Sequence, residues 1–293
     1  MSDYDDEKKL IKHPDISRDT NRGVSMEKKI IICLSMLLLF IAGLNGCFGP
    51  QSTDYFHGSY VVTQQTILRV ANINGNVEIS GWDNNNVTVD AVKKSTLGKG
   101  ELDKITIDVT TNGLYLNIET KYTGLSTIQG SVDYNIKVPR AMQIESVTST
   151  NGAIQITECS GNVTTMSSNG AILITDVAGY VSAETSNGRI EISGTTGIQD
   201  IRTSNGPITV EVADFQQNTR IDTSNGAIKV YLNPSLNATI EMTTSNGKIT
   251  IEGITLDTEV LEDTHVVGTL GTDGHRLDIR TSNGQIQLLK LGN

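Results

Sequence analysis

The chain has 293 residues, of which 37% are hydrophobic and 4% aromatic, and it carries a net charge of −10 from 23 Lys and Arg against 33 Asp and Glu. An acidic chain with dispersed basic residues is a poor nucleic-acid binder, so nucleic acid is not an expected partner. So few aromatic rings exclude a stacked-ring carbohydrate platform and leave Ile and Val to build the core. The roughly 245 residues after the leader are ample for one.

Residues 1–25 are polar and mixed in charge. They are either a polar tail or sequence upstream of a true start at Met26. Residues 26–46 are predicted to be a signal or lipoprotein leader. Lys28-Lys29 precede an uncharged run from Ile30 to Ala42, then Gly43-Leu44-Asn45-Gly46-Cys47. A basic start, a short apolar core and small residues before a cut are the parts of a secretory signal. The apolar run is short for a membrane span, which needs about 20 residues. Cys after Leu-x-Gly resembles a lipobox, which makes Cys47 the expected lipidation site and new amino terminus. The alternative is an uncleaved single-span anchor. Either way the following domain is expected outside the cytoplasm and held at a membrane. Cys33 falls in the leader and Cys159 stands alone, so no disulfide framework is expected. Cys159 is expected to be packed rather than reactive.

Residues 47–57 are read as a tether and 58–140 as an antiparallel β cap. Short strands are predicted at 61–70, 76–79, 87–92 and 134–138, with Pro139 closing the last. Ile105, Ile107 and Val109 lead through Asn112-Gly113 into Leu114, Leu116 and Ile118, a hairpin signal. Such a cap would blunt the open end of a repeat array.

From 141 to 293 the chain repeats. Ser-Asn-Gly, or Thr-Asn-Gly once, recurs with its corner at Asn151-Gly152, Asn169-Gly170, Asn187-Gly188, Asn205-Gly206, Asn225-Gly226, Asn246-Gly247 and Asn283-Gly284. Four residues before each Asn stand Val147, Thr165, Ala183, Ile201, Ile221, Met242 and Ile279. Two before stand Ser149, Ser167, Thr185, Thr203, Thr223, Thr244 and Thr281. Positions +3 and +5 are Ile, Val or Leu throughout, from Ile154 and Ile156 to Ile286 and Leu288. This alternation predicts a β-strand on each side of every corner, with one face buried. Asn-Gly suits positive φ, so left-handed corner backbone is expected, Gly188 included. The constant step predicts an all-β solenoid of stacked rungs of about 18–21 residues, since a recurring small hydroxyl at −2 is what a tapering, stacked corner needs. The alternative is an antiparallel meander. Between Asn246 and Asn283, Gly268, Gly271 and Gly274 predict a degenerate rung or a Gly-rich hairpin.

Catalytic signals are thin. Glu262, Asp263 and His265 lie close in sequence but read as a solvated loop. No nucleophile, zinc or phosphate-loop motif occurs. Position +4, which points outward, reads Gln155, Leu173, Glu191, Thr209, Lys229, Thr250 and Gln287. That is no rank of carboxylates of the kind a β-helix polysaccharide enzyme aligns. The Thr column at −2 shares parity with the aliphatic −4 residues and so points inward, against an ice-binding face. The expectation is therefore no enzyme, no cofactor and no metal. Sequons at Asn86, Asn162 and Asn237 permit N-glycosylation where the machinery exists.

Asp133-Tyr134-Asn135-Ile136-Lys137-Val138-Pro139 is followed by copies of Ser-Asn-Gly-x-Ile-x-Ile, with Gly161-Asn162-Val163 and Gly179-Tyr180-Val181 between copies. This pattern resembles the adhesin family DUF4097 over about residues 70–290. The resemblance implies a right-handed β-solenoid-like domain on surface or membrane-linked proteins, with adhesive or envelope roles. It implies no catalytic residues. The expected function is a membrane-tethered, extracytoplasmic, adhesin-like binding or structural module at the cell surface, with an unknown glycan or protein ligand. Competing readings are an envelope-stress sensor signalling through residues 1–25 and a polysaccharide-active β-helix enzyme.

Overall fold

The structure, a computed structural model, describes residues 51–124 and 129–292. The polar tail, the leader and Cys47 lie outside the described residues.

The amino-terminal part contains β1 (Ser52–Val61), β2 (Ile67–Ala71), β3 (Val77–Trp82), β4 (Asn86–Ser95), the one-turn helix α1 (Lys99–Leu102), β5 (Ile105–Asn112), β6 (Tyr115–Tyr122) and β7 (Gly130–Pro139). The first repeats follow as β8 (Gln143–Ser149), β9 (Ile154–Thr157), β10 (Val163–Ser167), β11 (Ile172–Thr175), β12 (Tyr180–Thr185), β13 (Ile190–Ser193), β14 (Gly197–Thr203) and β15 (Ile208–Val212). The chain ends with β16 (Thr219–Thr223), β17 (Ile228–Leu232), β18 (Ala238–Thr244), β19 (Ile249–Glu252), β20 (Asp257–Leu261), β21 (His265–Leu270), β22 (His275–Thr281) and β23 (Ile286–Lys290).

These strands form two long sheets. One has 11 strands in the order β1-β4-β7-β3-β9-β11-β13-β15-β17-β23-β19, and the other has 12 in the order β20-β21-β18-β22-β16-β14-β12-β10-β8-β2-β6-β5. Each repeat puts its strand before Asn-Gly in the second sheet and its strand after Asn-Gly in the first. Successive rungs pair in parallel and in register, as Ile172 with Ile154 and Ile190, or Thr203 with Thr185 and Thr223. Parallel pairing between rungs rules out the meander. At about 4.8 Å per strand, 11 strands extend roughly 50 Å.

The buried face is the predicted one. The −4, −2 and +3 columns are all buried, including the whole Ser/Thr set from Ser149 to Thr281. One apolar cluster runs the length of the stack, built mostly of Ile and Val with Phe215 and Tyr134 as its aromatic members. Ile and Val stack well because β-branched side chains fit a pleated surface.

Three expectations are corrected. First, the tether is shorter than 47–57, because β1 starts at Ser52 and pairs with β4 over ten residues, His57 opposite Asp90. Second, residues 58–140 are not only an antiparallel cap. β2 pairs in parallel with both β6 and the repeat strand β8, and β3 with both β7 and the repeat strand β9, so the solenoid already runs through this region. Asn74-Gly75 is a further corner, with Val77 and Ile79 on its buried face. Only the pairings β1–β4, β4–β7 and β5–β6 are antiparallel there. Third, chain order is not stacking order. The last rung, β22–β23, inserts between β16–β17 and β18–β19. Of the two forms expected in the long step, a hairpin is found: β20–β21 caps β18 by antiparallel pairing and so closes that end of the stack, with Gly271 and Gly274 in the turn on to β22.

Candidate functional site

The repeated corner is the most regular feature of the molecule. At its inner side each −2 hydroxyl donates to the glycine carbonyl of the neighbouring rung. Thr185 Oγ1 reaches Gly170 O at 3.0 Å, Thr203 reaches Gly188 O at 3.0 Å and Thr223 reaches Gly206 O at 3.1 Å. Ser149, Ser167, Thr281 and Thr244 do the same along the stack. A buried carbonyl needs such a partner, which explains the small hydroxyl at −2. In the rung of Asn74 the position is held by Asn72, whose Nδ2 donates to Gly75 O and Val132 O, both at 2.9 Å.

The same carbonyls explain the glycines, and correct their expected role. Among the described residues positive φ occurs at Gly75, Gly98, Gly113, Gly124, Gly161, Gly194, Gly253 and Gly271, and at Glu158 and Asp176, but at none of the seven predicted corners. Space is the constraint instead. A β-carbon on Gly188 would stand 1.9 Å from Gly170 O, and one on Gly206 would stand 2.1 Å from Gly188 O. The threonine-bound carbonyl of one rung fills the place where a side chain of the next would begin.

On the outer side the asparagines form a ladder. Asn151 Nδ2 donates to Asn74 Oδ1 at 2.7 Å, Asn169 to Asn151 at 2.7 Å, Asn187 to Asn169 at 2.8 Å and Asn205 to Asn187 at 2.9 Å. Asn225 continues to Asn205 at 2.8 Å, Asn283 to Asn225 at 2.8 Å and Asn246 to Asn283 at 2.9 Å. The ladder thus follows the permuted stacking order. Each Asn backbone N–H also donates to the carbonyl of the residue before the neighbouring Asn, as Asn187 to Ser168 at 2.9 Å. The residue before the Asn, a Ser or once Thr150, joins the ladder through its backbone carbonyl. Aligned carboxamides polarise one another along such a chain.

The other singled-out residues separate. Asp263 faces Lys248 at 3.7 Å, while His265 faces Glu241 at 3.4 Å, so Glu262, Asp263 and His265 do not converge. Cys159 is buried, its Sγ donates to Thr157 O at 3.1 Å, and burial pushes its thiol up to about 12. At the sequons, Asn86 Nδ2 donates to Ser59 Oγ at 2.8 Å. Asn162 Oδ1 accepts from Tyr180 N and Asn237 Oδ1 from Thr272 N.

One feature escaped the sequence. Arg202 on β14, Arg220 on β16 and Arg276 and Arg280 on β22 meet on the outer face of the second sheet, around a cleft of about 440 Å³. Asp278 beneath them takes Arg220 Nε at 3.2 Å and Arg280 Nε at 2.5 Å, and Glu241 contacts Arg276 and Arg280. The signal lay at the outward −3, −5 and −7 positions. It stays hidden until β22 is known to lie beside β16.

Stacked parallel rungs, a hydroxyl-bound corner and an asparagine ladder define a β-solenoid-like repeat domain. The Toastrack DUF4097 family model matches residues 51–289, and the chain belongs to that family. Among solved structures, a "putative cell adhesion protein" from Clostridium sporogenes shares 11% identity over 82% of this chain and 100% of its own, with a TM-score of 0.32. A "putative adhesin" from Bacteroides fragilis shares 11% over 81% and 98%, with a TM-score of 0.44. Another from Parabacteroides distasonis shares 11% over 82% and 97%, with a TM-score of 0.39. No curated protein matches the chain.

Proposed function

We propose that this protein is a membrane-tethered, extracytoplasmic β-repeat module that works by binding or by scaffolding at the cell surface, and not as an enzyme. The observation that carries the reading is the rigid stack itself. Its rungs present long sheet faces, and its conspicuous hydrogen-bonded groups are spent on holding the corners. Repeat stacks of this kind offer extended binding surfaces rather than one catalytic pocket. Tethering rests on the leader: the basic start, the short apolar run and Cys47. Its partners are the membrane, through a lipid at Cys47 or a single span, and a surface glycan or protein, not a nucleic acid. Intact-mass measurement of protein extracted from membranes tests the anchor. The expected chain begins at Cys47 with added lipid mass, and Cys47→Ser abolishes that mass. Unmodified protein retaining residues 26–46 would replace the lipid with a single span. Release of soluble, unmodified protein would overturn the tether. Turnover of any polysaccharide by the purified chain would overturn the non-enzymatic part.

A further inference from the structure

Among the described residues, the arginine cleft stands out against the acidic character of the chain. Four of the arginines gather there from three strands, while the protein as a whole carries −10. Cross-strand register alternates the charges: Asp200, Arg220, Asp278 and Glu241 form one row, and Arg202, Asp222 and Arg280 lie in the next. In formal charge the patch is balanced. Its two kinds of group do not stand equally tall. The Asp278 and Glu241 side chains are 9% and 15% exposed, whereas the four arginines are 43–48% exposed. Asp278 takes Arg220 and Arg280 through Nε, Glu241 takes Arg276 and Arg280 through Nη2, and the more exposed Asp200 takes Arg202 through Nη2, which leaves further N–H groups of each guanidinium toward the cleft.

Each guanidinium has five N–H donors in a planar fork, and the carboxylates beneath occupy only part of them. What the cleft offers an incoming molecule is therefore a set of unspent donors matched to planar or tetrahedral oxyanions. The cleft also continues sideways. Arg202 and Asp200 are shared with a second hollow of about 180 Å³ that carries the hydroxyls of Thr164 and Ser182 and the carboxylate of Glu184. Guanidiniums in one compartment and hydroxyls in the next suit a chain of sugar units bearing acidic groups. A lone small anion would fill one compartment only.

Building on the surface-binding reading above, we propose that this trough is the ligand site and that its ligand is an anionic glycan, gripped through carboxylate, sulfate or phosphate groups by Arg202, Arg220, Arg276 and Arg280. The test measures binding of the full chain in detergent to oligogalacturonate, heparin oligosaccharides, glycerol-phosphate oligomers and neutral dextran oligomers of matched length. At least one anionic probe is expected to bind about tenfold or more tightly than dextran, by about 1.4 kcal/mol or more. Which of the three binds best identifies the oxyanion. Arg202→Gln is the decisive variant. Its partner, Asp200, is exposed, so no buried carboxylate is left alone. It is expected to lose most of the affinity, while Arg189→Gln on the other sheet changes nothing. Arg220→Gln, which strands Asp278, is interpreted only with an unchanged melt. Equal affinity for dextran and all anionic probes would overturn the site, and so would equal binding by Arg202→Gln and Arg189→Gln. Loss of the site leaves the lipid mass at Cys47 untouched. Shortening of a probe would instead overturn the non-enzymatic reading.

Discussion

Asn112-Gly113 and Asn187-Gly188 place the same dipeptide in two different settings. Asn112-Gly113 joins β5 to β6, and Asn187-Gly188 turns one rung from the second sheet to the first. Gly113 has φ +61 and a β-carbon there would touch nothing within 4 Å. Gly188 shows no positive φ, yet a β-carbon there would strike Gly170 O at 1.9 Å. The hairpin needs glycine for its backbone freedom, whereas the stacked corner needs it for room. The asparagines differ in the same way. Asn187 both donates to and accepts from its ladder neighbours, whereas Asn112 lies exposed at a strand end. A residue pair that signals a turn in one chain context becomes a packing element when copies stack in register.

This contrast can be sharpened by substituting matched positions in the two regions. The largest effect is expected at the core. Ile190→Ala, fully buried between rungs, should cost about 2–5 kcal/mol, against about 1 kcal/mol for the half-buried Ile107→Ala. Denaturant melts of both variants read the difference. Next comes the hydroxyl column. Thr203→Val leaves Gly188 O without its donor and should cost about 1–3 kcal/mol. Thr111→Val on the exposed hairpin strand should stay within about 0.5 kcal/mol. The ladder is weaker because it is exposed. Asn187→Ala should cost about 0.5–1.5 kcal/mol and speed hydrogen exchange at the backbone N–H groups of Asn187 and Asn205, with little effect from Asn112→Ala. Smallest is Glu191→Ala, whose outward side chain makes only a surface pair with Arg189 at 3.2 Å. A change below about 0.5 kcal/mol is expected. A thermal melt showing damage equal to Ile190→Ala would reverse the assigned faces.

Much of the stack was legible because its physics is local. Alternating Ile and Val at +3 and +5 reports burial directly, and the parity of Thr203 or Thr223 with Ile201 or Ile221 gave the inward hydroxyls. The features that stayed hidden depend on which strands become neighbours. The rung at Asn74 was missed because Asn72 replaces the hydroxyl and 77 residues separate Asn74 from Asn151. The insertion of β22–β23 beside β16–β17 leaves no mark on Asn283, whose local pattern matches every other corner. For that reason the arginine cleft was invisible too: Arg220 and Arg280 lie 60 residues apart, and only the permuted order brings them together. The positive φ expected at Gly188 followed from Asn-Gly in isolation. The carbonyl that occupies its side-chain space comes from Gly170, one rung away.

The most direct test of the two kinds of glycine is a paired unfolding measurement on Gly188→Ala and Gly113→Ala. At Gly113 the cost is conformational only, about 1–2 kcal/mol. At Gly188 the new methyl group has to displace the Gly170 carbonyl, which already accepts from Thr185, or part the rungs. A loss of at least about 3 kcal/mol is expected there. If Gly188→Ala proves as mild as Gly113→Ala, the corner has room for a side chain, and the account of the repeat as a carbonyl-packed stack is wrong.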